Sequence, residues 1–291
     1  MNRRDHLKTM LAGLVASIGF IPEANAEKTK QATPVKMPVL FVGHGSPMNA
    51  ISDNPYTRHL QKLGKQLPTP HAIVVISAHW VRNDTRVMIS AKPETIHDFG
   101  GFPQALFDMQ YPAPGSPALG KQIQQLMAPV NVIGDAKWGL DHGAWTVLHH
   151  LYPKANIPVI QLSMNANLTL VQHMQVGAAL QTLRQQGVLI LGSGNIVHNI
   201  PMAQDRMASK PFEWAAAFDE LTKEGLLHRN LGQLLATDKR QAQLWQLSHP
   251  TIEHYLPLLY TLGASNSTDK VSFPYEGFQE GAFSMRSVLF S

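Results

Sequence analysis

Ala72-Ile73-Val74-Val75-Ile76-Ser77-Ala78-His79-Trp80 is an unbroken apolar, largely β-branched run that delivers a histidine at its end. Apolar residues without polar alternation mark a strand buried on both faces, as in a parallel sheet covered by helices. The pattern recurs on either side. Val39-Leu40-Phe41-Val42 is stopped by Gly43-His44-Gly45-Ser46-Pro47, and Val188-Leu189-Ile190-Leu191 runs into Gly192-Ser193-Gly194, with His198 shortly after. Further strands are read at residues 130–133 and 157–163. Helical spacing fills the intervals at residues 56–67, 117–127 and 168–184, and an apolar stretch follows Asp141-His142-Gly143 to residue 151. The last third reads as helices at 212–227, 231–236, 242–247 and 252–262, then closing strands at 273–278 and 284–290. Buried strands alternating with helices predict an α/β fold: a single three-layer domain with a mostly parallel central sheet flanked by helices. Ligands of such sheets bind at the carboxyl ends of the strands. His44, His79 and His198 each follow a strand and belong on that edge.

Residues 1–26 stand apart. Arg3-Arg4, an apolar stretch from Met10 to Phe20 and Ala24-Asn25-Ala26 together have the anatomy of a twin-arginine signal peptide. The apolar stretch is shorter than the about 20 residues a bilayer span needs, so stable membrane insertion is not expected. The expected organisation is a signal peptide over 1–26 and a catalytic domain over 27–291, exported through the twin-arginine translocase to the periplasm. The leader carries Arg3, Arg4 and Lys8 against Asp5 and Glu23, a net of +1, which leaves +3 of the total +4 for the rest. No basic block accompanies that mild excess, so nucleic acid is not an expected partner. The chain has no cysteine, which excludes disulfides, thiolate metal sites and cysteine nucleophiles.

The chemistry therefore rests on imidazole. His44 lies between two glycines, which let the backbone turn sharply beside a ligand. His79 ends the most apolar strand, although one strand-end histidine alone is more often structural. The Gly192-Ser193-Gly194 turn lacks the spacing of a dinucleotide fingerprint, and His198 beyond it could serve as metal ligand or acid–base group. His249-Pro250 reads as a helix start, with Pro250 in the first helical position. Glu253 and His254 would then project about 100° apart on that helix, one toward a metal and one behind it. Asp141-His142-Gly143 is a candidate substrate-binding or proton-relay unit. The aromatic insertion at residues 92–116, with Phe99, Phe102, Phe107 and Tyr111, is long enough to be a binding loop. His149, His150, His173 and His228 read as packing or helix-surface residues. Several neutral imidazoles meeting at one point form a transition-metal site.

In this order the motifs are distinctive. Gly43 to Pro47, Ser77 to Trp80, His97-Asp98-Phe99 with Gly101-Phe102-Pro103, Tyr111 to Gly115, Gly139 to Trp145, Gly192 to His198 and His249 to Pro257 resemble the LigB-like superfamily of extradiol ring-cleaving dioxygenases, within it the 4,5-DOPA dioxygenase group. The resemblance spans residues 39–290. It implies a metal held by His44 and His79, with a third ligand from His254, or alternatively Glu253. His198 would be a metal-site histidine or the acid–base residue, and His142 a second catalytic histidine beside the substrate. It further implies ferrous iron (Fe2+) as the working metal, zinc (Zn2+) as a possible occupant, and a catechol and O2 as the small-molecule partners. A zinc-dependent hydrolase or a non-catalytic metal-binding protein on the same scaffold is the alternative reading. The first differs in the metal and its chemistry, and the second would not need this whole set of histidines.

Overall fold

The computed structural model describes residues 35–291 apart from residue 129, residues 205–209 and residues 237–240. The expected signal peptide at 1–26 lies outside the described residues. Along the chain run β1 (Val39–Gly43), α1 (Pro55–Gln66), β2 (Ala72–Ser77), β3 (Val81–Arg82), β4 (Thr85–Met88), α2 (Gln104–Phe107) and α3 (Pro117–Leu126). They continue with β5 (Val132–Asp135), α4 (His142–Leu151), β6 (Val159–Gln161), β7 (Met164–Asn165), α5 (Leu170–Ala179) and β8 (Val188–Gly194). The last third holds α6 (Glu213–Leu227), α7 (Leu231–Leu234), α8 (Ala242–Ser248) and α9 (Leu256–Ala264). The chain closes with β9 (Val271–Ser272), β10 (Phe278–Gln279), β11 (Phe283–Ser284) and β12 (Val288–Phe290).

The main sheet has the order β6-β2-β8-β1-β12-β9. The strands from β6 to β1 are parallel, and β12 and β9 extend the sheet by antiparallel pairings. β1, β2 and β8 are buried at every residue, as their unbroken apolar runs require. Neighbouring residues of a strand point to opposite faces, and the end of β8 shows what covers each. The Cα of Gly192 faces α9: a Cβ there would come within 2.7 Å of the Pro257 carbonyl and the Thr261 side chain. The hydroxyl of Ser193 faces the other way and donates to the Gly143 carbonyl of α4 at 2.5 Å. Helices α9 and α5 thus form one layer and α4 with α1 the other, which is the expected three-layer α/β architecture. Among the described residues no helix is long and apolar enough to cross a membrane.

Several boundaries differ from the sequence reading, each for a local reason. The helix expected at 168–184 stops at Ala179, and a 3-10 turn (Gln181–Gln186) follows, closed by Gly187 in the left-handed region at φ 76°. His249 does not start a helix. It closes α8 as its C-cap, and a 3-10 turn (Ile252–His254) leads into α9, whose first turn carries Pro257. The closing strands are shorter than expected, because β10 and β11 pair with each other as a hairpin rather than with the main sheet. The strand read at 130–133 begins at Val132 and pairs with β4, which the charged residues around it concealed.

At the amino ends of β1 and β8 sits a buried ion pair. Arg184 donates to Asp269 Oδ2 at 2.6 Å, and both side chains are only 1% exposed. The guanidinium also donates to the carbonyls of Met37 and Ala264. Asp269 receives Lys36 at 2.7 Å and the backbone N–H of Asn266 at 2.9 Å. Burial acts to raise the Asp269 carboxyl, but these donors outweigh it and hold the group down to about 2.

Candidate active site

At the opposite, carboxyl ends of the same strands, the register sets His44 and His79 either side of β8. Gly43 is level with Gly194 and Ser77 with Ser193. Past β1, Gly45 takes φ 60°, and the His44 N–H continues the ladder to the Gly194 carbonyl at 2.9 Å. His254 arrives on the 3-10 turn before α9, and its carbonyl accepts the Asn195 N–H at 2.8 Å. A Cβ at position 194 would collide with that carbonyl, so glycine is what lets the turn approach the strand.

These three rings form a near-equilateral cluster. Their centroids stand 5.0 Å (44–79), 5.2 Å (44–254) and 5.1 Å (79–254) apart. Each offers a donor nitrogen, and the three donors lie within 4.8 Å of one another. The Nε2 atoms of His44 and His79 are 3.1 Å apart. Two ligand nitrogens each about 2.1 Å from one cation stand roughly 3.0–3.4 Å apart for ligand angles between square and tetrahedral, so the pair fits a shared metal.

The far nitrogens of His44 and His254 have acceptors, and that of His79 faces a carboxylate. His44 Nδ1 meets Ser193 Oγ at 3.0 Å; that hydroxyl gives its own proton to Gly143 and so accepts from the ring. His254 Nδ1 lies 3.2 Å from Glu253 Oε1, which Thr251 also contacts. His79 Nδ1 faces Asp98 Oδ2 at 3.6 Å. Proton-bearing Nδ1 atoms directed outward leave the Nε2 lone pairs for the cluster, the arrangement that orients ligating imidazoles. Glu253 thus stands behind His254, and its carboxylate is not among the three clustered donors.

Burial is the first cause that holds His44 and His254 well below an ordinary imidazole, and the neighbouring histidines add to it. His79 is pushed to about 3, chiefly by burial and then by His142, against the opposing pull of Asp98. All three are neutral at neutral pH, the form a metal binds without displacing a proton.

The two remaining predicted histidines lie beside the triple. The His198 ring stacks face to face on His254, with centroids 3.5 Å apart and planes 4° from parallel, and it is backed by Phe283 at 4.9 Å. It is not one of the three clustered donors, and burial lowers it to about 4. His142 opens α4, and its ring centroid is 3.8 Å from that of His79. The proposed Asp141–His142 unit separates: Asp141 is buried, caps α4 through Ala144 N–H, and accepts from Ser77 and Gln161. The partner of His142 is Asp98, which the sequence reading gave no role. Its Oδ1 accepts the His142 backbone N–H at 2.8 Å. Its Oδ2 lies 3.0 Å from the ring Nδ1, close but outside hydrogen-bond alignment. The signal was the His97-Asp98-Phe99 stretch, whose carboxylate precedes an aromatic loop. His79, Asp98 and His142 also lie close enough to hold a cation, but Asp98 already serves His142 through its other oxygen.

A cavity of about 390 Å³ opens above the triple. The 92–116 insertion supplies Phe99 and Phe102 to one wall, and Phe283 and Ile200 line the cavity as well. Phe99 meets the His142 ring edge-on at 5.6 Å. A planar ring placed there would have aromatic walls and a neutral imidazole floor. His149, His150 and His173 lie elsewhere: His150 bonds the Asn49 carbonyl and His173 the Tyr260 hydroxyl, as packing residues do.

A family model described as the catalytic LigB subunit of aromatic ring-opening dioxygenase matches residues 38–286. The chain is 48% identical over 255 residues to the 4,5-DOPA dioxygenase extradiol of Escherichia coli K12, covering 87% of this chain and 94% of that protein. It is 38% identical over 260 residues to the protein of the same name from Beta vulgaris, covering 86% and 95%. The crystal structure of an uncharacterized Escherichia coli K12 protein superposes with a TM-score of 0.77 at 42% identity, covering 88% of this chain and 100% of that one.

Proposed function

The chain belongs to the LigB family of aromatic ring-opening dioxygenases and is a metal-dependent extradiol ring-cleaving enzyme; on that premise we propose that it opens a DOPA-like catechol with Fe2+ held by His44, His79 and His254. The observation that carries this reading is the convergence of three neutral imidazoles under an aromatic-walled cavity. Held by those three imidazoles, the metal would supply Lewis-acid activation of the catechol and the redox chemistry that O2 requires.

The protein's own groups do the rest. Phe99, Phe102 and Phe283 hold the ring and exclude water. His198, neutral because burial lowers it to about 4, takes a phenolic proton from the bound catechol and returns it as the ring-opened product forms. Its ring stacks on His254 and is not among the three clustered donors, which supports an acid–base role over a ligand role. His142, anchored to Asp98 through its backbone N–H and with its ring beside the same carboxylate, holds the second substrate oxygen. Zinc accepts the same imidazoles but has no redox chemistry, so zinc-loaded protein is expected to be inactive.

The test is anaerobic loading with Fe2+, then catechols and O2. A yellow ring-opened product formed with one O2 consumed per catechol supports the reading; no turnover across a catechol panel contradicts it. We further propose export to the periplasm, supported by Arg3-Arg4, the Met10-to-Phe20 stretch and Ala24-Asn25-Ala26, all outside the family match. Replacing both arginines by lysine should leave the protein in the cytoplasmic fraction. Unchanged periplasmic recovery would contradict a twin-arginine route.

A further inference from the structure

We propose that His249 is a positioning residue that aims His198 into the active-site cavity, by donating a buried hydrogen bond to the carbonyl of Ile196. The proposal rests on the acid–base reading of His198 given above and deepens it.

His198 has little of its own to fix its direction. Among the described residues no group hydrogen-bonds its ring. The ring is held by its stack on His254 at 3.5 Å and by Phe283 at 4.9 Å. Stacking restrains the plane of a ring more than its rotation or offset within that plane. The places of the two ring nitrogens are therefore inherited from the backbone of residues 195–199, which leaves β8 and enters a 3-10 turn at Ile200–Met202.

Three consecutive residues at the end of α8 grip that segment. The Leu247 carbonyl accepts from Asn199 Nδ2 at 2.7 Å, the Ser248 carbonyl accepts the His198 N–H at 2.9 Å, and His249 Nε2 meets the Ile196 carbonyl at 2.6 Å. From the other side, the Ser284 N–H donates to the Val197 carbonyl at 3.1 Å and the Asn199 N–H to the Ala282 carbonyl at 3.3 Å. Backbone contacts are open to almost any sequence, whereas the His249 contact needs a side-chain donor. A carbonyl only accepts, so Nε2 carries the proton. Burial holds this imidazole at about 4, so at pH 7 it is neutral and its Nδ1 is bare. That nitrogen is buried and has no hydrogen-bond partner among the described residues. It sits in a box of Phe218, Trp245 and Tyr255, whose ring centroids lie 4.9, 5.3 and 4.9 Å from that of His249. A buried, unpaired acceptor is destabilising, and a phenyl ring would fill the same box without it. What the imidazole adds is one N–H on Ile196, two residues before His198.

The experiment compares Fe2+-loaded wild type, H249F, H249M and H249Q, each also in an H198Q background, with DOPA and O2 at pH 7. Phenylalanine keeps a ring and methionine keeps flexible bulk, and both remove the donor. The glutamine amide can stand where Nε2 stands. H249F and H249M should lose about 10–100-fold in kcat, as misaligned catalytic groups do, with KM and iron stoichiometry within about 2-fold of wild type. H249Q should stay within about 5-fold of wild type in kcat. In H198Q the same substitutions should cost less than about 2-fold, because no acid–base ring is left to aim. In crystals of metal-free H249M the His198 ring should leave its stack on His254. The proposal is overturned by equal losses in both backgrounds, by no loss in the donor-free variants, by H249Q as impaired as H249F, or by an undisturbed stack. Failure of both donor-free variants to fold and load iron would make His249 merely structural and overturn it as well. Full kcat in H198Q alone would instead overturn the acid–base reading on which it rests. If wild type opens no catechol, the dioxygenase reading fails, and the metal-free crystals still decide whether His249 aims the ring.

Discussion

β1 and β8 carry buried ionisable groups at both ends, and the two ends treat them differently. At the amino ends, Arg184 and Asp269 are mutually paired, and Met37, Ala264, Asn266 and Lys36 add further hydrogen bonds to the pair. At the carboxyl ends, His44 and His254 are hydrogen-bonded on their outer nitrogens, His79 faces Asp98 with its own, and the Nε2 atoms of His44 and His79 face each other at 3.1 Å. Burial plus mutual pairing makes a structural lock. Burial with inward-facing nitrogens left unpaired, on three rings that converge, is what the proposed ligand site requires. A breakage at each end should therefore show in a different measurement.

The largest effect is expected from His44→Ala. It should lower activity by at least roughly 10⁴-fold and abolish stoichiometric metal binding, while the melting temperature of metal-free protein stays within a few degrees. Next, His198→Gln should reduce kcat by about 10²–10⁴-fold with metal content unchanged. Loss of metal along with activity would place His198 among the ligands. At the other end, Asp269→Asn leaves a buried guanidinium without its counter-charge and should cost about 3–5 kcal/mol of unfolding free energy, with metal stoichiometry retained. Smaller again, Asp98→Asn should weaken metal affinity or activity by about 10–100-fold, because Asp98 only orients His79 and His142.

The gentlest probe is pH, applied to metal-free protein. His198 and His249 are held at about 4 in the fold, mainly by burial, against about 6.5 when free. The unfolded chain takes up those protons first, so this stability is full above about pH 6.5 and is lost as pH falls toward 4. Asp269, held at about 2 against about 3.9 when free, contributes fully above about pH 4 and loses that contribution as pH falls toward 2. Denaturant midpoints should decline through both windows, and Asp269→Asn should shrink the decline in the lower one while leaving the upper one unchanged.

The fold was legible in the sequence because parallel strands buried on both faces cannot alternate. Residues 39–42, 72–76 and 188–191 could be little else. Short edge elements were not legible: β4 carries Arg86 among its apolar residues, and β10 and β11 are two residues each. His44 and His79 could be placed on the rim because they follow strands directly. His254 needed the resemblance, since its approach depends on Gly194 and on a 3-10 turn that the sequence presented as one helix beginning at Pro250. Asp98 went unassigned because its partners, His142 and His79, lie 44 and 19 positions away.

The most direct test is an anomalous-difference map at the iron edge from crystals loaded anaerobically with Fe2+. One peak per chain is expected, about 2.1 Å from nitrogens of residues 44, 79 and 254, with His198 beyond bonding distance. A peak among His79, Asp98 and His142, or none at the rim, would contradict the account.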